Sequence, residues 1–198
     1  MSVVVYARGR GTAGMEPGRA EFWTDMELRV LRVALMAFLA ALLMGCSPEY
    51  NWREVSVGEG AVKAFFPDKP ATRERQLDFS GHKIQFGMTS VELNDAVFAV
   101  AYVPFPASMK DDAATQDSLV SSIVGSLYGN LGVAPPAELL ASGQRFTIEG
   151  KSSQGVMHLE AIIWRTPRAL VEAIVTAAPP SYPGPQAEEF LRGLRVAR

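Results

Sequence analysis

Residues 33–45 read VALMAFLAALLMG, thirteen residues without a charge, and the next residue, Cys46, is the only cysteine in the chain. This junction divides the chain in two. Spanning the hydrocarbon core of a bilayer takes about 20 apolar residues. The run is therefore short for a transmembrane helix and has the length of the apolar core of a signal peptide. Arg29 and Arg32 stand before it as a small basic flank. A lone cysteine permits no intramolecular disulfide and no multi-cysteine metal site. A globular domain built from the residues after Cys46 must hold together by packing.

The four residues Leu43-Met44-Gly45-Cys46 resemble the lipobox of bacterial lipoproteins, and residues 26–46 as a whole resemble a lipoprotein signal peptide. The resemblance implies cleavage between Gly45 and Cys46. It also implies a thioether-linked diacylglycerol, and usually an N-acyl chain, on Cys46. One acyl chain holds a protein only marginally on a bilayer, whereas two or more anchor it stably. Acylation also accounts for a cysteine that would otherwise be a free thiol in an exported protein. The competing reading is an uncleaved anchor reaching back to Leu28. Ser47 stands where an aspartate would favour inner-membrane retention, so the resemblance implies the inner leaflet of the outer membrane, facing the periplasm. The partners expected are membrane lipid, through acylated Cys46, and an envelope protein.

Residues 1–25 carry Glu16, Glu21 and Asp25, which a basic leader flank avoids. Translation from Met26 gives MELRVLR before the apolar run, an ordinary leader, and 1–25 is expected to be an upstream over-extension. Gly9, Gly11 and Gly14 fit G-x-G-x-x-G. The dinucleotide fingerprint also needs a helix opening at the glycines within a βαβ unit. Pro17 and Gly18 follow instead, so these are chance glycines and no nucleotide cofactor is expected.

Residues 46–53 (CSPEYNWR) read as a tether in which Trp52 suits either the headgroup interface or the domain edge. Residues 54–198 read as one domain. Period-two alternation and turn residues mark strands at 54–57, 61–66, 73–79, 82–93, 96–103, 144–149, 155–165 and 169–177. The run Ala96–Val103 (AVFAVAYV) is almost wholly apolar, as in a central strand covered on both faces. In 112–131, Leu119, Ile123 and Leu127 recur every four residues and predict a long amphipathic helix. Asp111 or Asp112 is its cap, and Gly129 or Gly132 its stop. Pro183-Gly184-Pro185 predicts a short C-terminal helix over 186–196 with Phe190, Leu191 and Leu194 inward. The order lacks a βαβ rhythm. The fold class expected is α+β: a largely antiparallel sheet of about six or seven strands covered by the two helices.

This order, with Phe66-Pro67-Asp68-Lys69-Pro70 after an early strand, the Phe98–Tyr102 strand in a meander and Phe190-Leu191 in the last helix, resembles the PsbP-like fold. The resemblance implies a non-enzymatic binding or assembly protein and carries over no functional residue.

Composition narrows the chemistry. A net charge of −2 argues against nucleic acid as partner. Two histidines remove most zinc sites and a His-based triad. His158 and Glu160 form H-x-E, but the zinc deaminase pattern needs a downstream P-C-x-x-C that is absent, and both read as solvent-facing strand residues. His82 reads as an exposed turn histidine. Asp111 and Asp112 read as a helix cap ahead of a cation site. Asp78, Glu92 and Asp95 surround a hairpin with no basis for pairing. Ser121, Ser122 and Ser126 lack the turn of a nucleophile. Arg73, Arg75 and Lys83 read as a basic patch on a solvated sheet face. Tyr102, Trp164 and Tyr182 read as core or rim aromatics. Phe105, between Pro104 and Pro106, suits either an exposed knob or packing under the long helix. No catalytic residue and no metal ligand is assigned. The expectation is a membrane-anchored, non-catalytic binding or envelope-assembly module. The alternatives are a periplasmic hydrolase or other enzyme using carboxylates that the sequence does not pair, and a carrier of an apolar ligand. The carrier would show as an unfilled cavity between sheet and helices.

Overall fold

Two tight turns set the frame of the main sheet. Ser80-Gly81 (φ 49° and 81°) and Asn94-Asp95 (φ 52° and 62°) take positive φ at both positions, the geometry whose twist matches the strands it joins. They connect β3 (Ala71–Phe79), β4 (His82–Leu93) and β5 (Ala96–Pro104) into an antiparallel meander. The computed structural model of the chain describes residues 49–138 and 140–197. The expectations on Gly9, Gly11, Gly14, Met26, the 33–45 run, Gly45, Cys46 and Ser47 lie outside those residues.

β6 (Arg145–Ser152), β7 (Gly155–Arg165) and β8 (Ala169–Ala177) form a second meander. It joins the first through β8 against β5, giving six antiparallel strands in the order β3-β4-β5-β8-β7-β6. The two most apolar strands, β5 and β8, therefore lie at the centre, as the Ala96–Val103 run predicted. The remaining strands build a separate sheet. β1 (Arg53–Val57), β2 (Val62–Phe66) and β9 (Arg195–Val196) pair in the order β1-β2-β9. The fold is α+β, as expected, with its strands divided between two sheets.

The long helix α1 (Ala113–Asn130) begins where Asp112 accepts from the backbone N–H of Thr115 at 2.9 Å and from its hydroxyl at 2.6 Å. Those bonds hold the Asp112 carboxyl below its ordinary range. The helix stops at Leu131, followed by Gly132 in the left-handed region (φ 66°). α2 spans Gly184–Gly193, and the chain leaves it at Leu194 to pair as β9 with β2. The expected continuation of this helix to 196 is thus replaced by a short strand.

The main sheet has a core on each face. α1 covers one face, where Leu119, Val120 and Val124 meet Ile84, Val103, Phe105, Leu159, Leu170 and Ile174. The small sheet and α2 cover the other, with Phe66, Phe98 and Phe190 fully buried. The Phe190 ring meets Phe66 and Phe98 edge-on, with centroids at 5.3 and 5.4 Å. Each such side chain contributes roughly 1.5–3 kcal/mol of burial. Every strand pairing and both cores lie within the compact unit Tyr50–Arg198. That segment holds what an independently folding domain needs. Trp52 packs against the core of the small sheet, at the domain edge.

Candidate functional site

β8 sends alternate residues to opposite faces. Val171, Ala173, Val175 and Ala177 enter the core under the small sheet, and Leu170 and Ile174 enter the core under α1. Glu172 falls between Leu170 and Ile174, on the α1 side. Its cross-strand neighbours are Ala101 on β5 and Ile163 on β7. Glu172 is 4% exposed, and its Oε1 has no hydrogen-bond partner. Burial pushes its carboxyl up to about 7. An unpaired buried carboxyl is costly in either protonation state.

Glu172 lines a cavity of about 330 Å³ between α1 and the β3–β4 end of the main sheet. Ile84, Val103, Leu119 and Ile174 are its other buried lining residues, with Phe79, Phe86, Met88, Ile123 and Leu127 partly buried around them. Arg75, Leu77, Asp78, Ser122, Ser126 and Asn130 are exposed and form the rim. An apolar wall with one convergent polar group is the usual composition of a small-molecule site. Other hollows, of about 510 and 620 Å³, lie around the 58–60 and 166–168 turns, and no buried carboxylate lines them.

A second polar cluster lies on the opposite face of the same sheet. Arg145 on β6 bridges Glu160 on β7 and Glu188 on α2. His158 places Nδ1 at 3.1 Å from Glu149 and Nε2 at 3.5 Å from Glu160, and the Tyr182 ring meets the imidazole edge-on at 4.2 Å. Burial alone would lower the Arg145 pKa, but hydrogen bonds to Glu188 and Glu160 outweigh it and raise it. The same Arg145 bond holds Glu188 low. Burial and the Glu160 carboxylate push the Tyr182 hydroxyl up. The expectation that His158 and Glu160 face solvent is corrected here: their side chains are only 18% and 19% exposed, because α2 and Tyr182 cover this end of the strand. Among the described residues, no three His, Cys, Asp or Glu side chains are grouped to hold a metal ion.

The other singled-out residues are scattered. His82 Nδ1 lies 2.8 Å from the Ser108 hydroxyl. Ser121 and Ser126 donate to helix carbonyls of Asp117 and Ser122. Asp78 reaches the cavity rim, but Glu92 and Asp95 do not line the cavity. The basic patch divides, because Arg73 and Arg75 are on the α1 face, with Arg75 over the Phe86 ring at 5.0 Å, whereas Lys83, next to the inward Ile84, is on the other. Phe105 is buried under α1. Tyr102, Trp164 and Tyr182 are partly buried in the small-sheet core and form no common cage. Glu172 escaped sequence reasoning, although an acid inside the apolar run LVEAIV was a visible signal. Comparison of the chain with protein-family models, with curated proteins and with solved structures gave no match.

Proposed function

We propose that this protein is a lipid-anchored, non-catalytic binding module of the bacterial envelope, and that its domain takes up a small apolar molecule between α1 and the main sheet. The observation that carries the reading is the unpartnered Glu172 carboxyl in the wall of an apolar cavity. A buried polar group without a partner lowers stability, and a ligand that satisfies it recovers that loss. The anchor rests on the lipobox-like Leu43–Cys46 segment, with the outer membrane indicated by Ser47. The PsbP-like resemblance, carried by the order of strands and helices, supports a binding role over a catalytic one. Among the described residues Glu172 is the only buried titratable group lining the cavity, so acid–base chemistry there would lack its second member.

A neutral probe tests the cavity independently of charge. For residues 46–198 with Cys46→Ser, 1-octanol should raise the melting temperature in a saturable way, by mass action on the folded state. Ser126→Trp, which plugs the rim, should remove most of that rise. Absence of a saturable rise in the parent protein contradicts the reading.

A further inference from the structure

The chemistry of the cavity wall narrows what the ligand carries. Among the described residues the only buried polar side chain in it is an acid, and its Oε1 is unpartnered. A carboxylate only accepts hydrogen bonds. Among the described residues no cation is paired with it: Arg75 sits over Phe86 at the rim, and Arg165 on β7 pairs with Asp117 on α1. The other charged or titratable groups on the strands around this face are Arg73, opposite Met88, and Glu92, both exposed, together with Asp78 at the rim and His82, which is bound to Ser108. A ligand carboxylate would meet like charge. A hydroxyl would bring one donor and no charge. An ammonium brings three donors and the counter-charge that a buried carboxylate requires.

We propose that the cavity binds an amphiphile with a primary amine, head first, so that the ammonium pairs with Glu172 and the hydrocarbon body lies along Ile84, Leu119 and Ile174. The far end leaves between Leu77 and Ser126. At about 30 Å³ for each water-sized group, the space suits a ligand of about ten non-hydrogen atoms. This inference rests on the reading of the cavity as a binding site.

The test is titration calorimetry of octylamine, 1-octanol and octanoate into residues 46–198 with Cys46→Ser, from pH 5 to pH 8. Below its folded pKa Glu172 holds a proton that pairing with the ammonium expels. Octylamine affinity should therefore rise up to about tenfold per pH unit from pH 5 to about 7, then level off. Octanol should show no such rise. In Glu172→Gln, octylamine should lose its pH dependence and at least tenfold in affinity while octanol still binds. If octanol or octanoate binds and octylamine binds no tighter than octanol, the amine is wrong and the cavity reading stands. If none of the three binds, both are overturned. The parent protein's pH profile decides even if the variant fails to fold.

Discussion

Glu172 on β8 stands directly across from Ala101 on β5, so the most buried carboxyl of the domain faces a methyl group where a polar partner would be needed. The consequence reaches stability, because a carboxyl raised from 4.5 to about 7 by burial binds a proton more tightly folded than unfolded.

In that window the folded state holds more protons than the unfolded state, so stability falls as pH rises from about 4.5 to about 7 and stays low above. The loss amounts to roughly 3 kcal/mol. Urea unfolding at pH 5 and pH 8 should show this decline in the parent domain. Glu172→Leu should remove it and leave the protein more stable than the parent at pH 8.

Arg145 connects α2 to the main sheet through Glu188 and Glu160. Arg145→Met leaves the half-buried Glu160 without its cation and should cost about 1–3 kcal/mol in urea unfolding near neutral pH. The octanol response should survive, because this cluster and the cavity lie on opposite faces of the sheet.

Gly150 on β6 lies against the chain leaving α1. A Cβ there would sit 2.2 Å from the Leu131 carbonyl oxygen, and backbone cannot give way as a side-chain tip would. Gly150→Ala should therefore destabilise the domain by about 2 kcal/mol or more, read as a lower melting temperature. Gly125→Ala, which meets open space inside α1, should be neutral or slightly stabilising.

The anchor has its own check. Intact mass spectrometry of the protein from separated membranes should find a chain beginning at Cys46 with added acyl mass, in the outer-membrane fraction. Cys46→Ala should lack the acyl mass. An unprocessed chain would refute lipidation.

Local patterning made most of this fold legible. Alternation placed β4, β7 and β8 at their observed ends, and the apolar run of β5 marked its central position. The pairs Asp111/Asp112 and Gly129/Gly132 marked the ends of α1 without choosing between members, and Asp112 and Gly132 take those places. Pairing across long sequence separations was not legible. Nothing local says that β5 meets β8, or that β1 and β2 leave the main sheet to pair with a two-residue β9. The cavity shared that fate, because its wall is assembled from residues of β3, β4, β5, α1 and β8. Its one sequence trace was Glu172, an acid at a position that strand alternation assigns to a core face.

The most direct test of the binding site is methyl NMR of the isoleucines in residues 46–198 with Cys46→Ser, during titration with octylamine. Ile84, Ile123 and Ile174 line the cavity, whereas Ile148, in the same core, is outside its wall and Ile162 is in the core on the other face. The account predicts that the first three shift along one saturable curve while the other two hold still. Unmoved resonances at Ile84, Ile123 and Ile174 would contradict it.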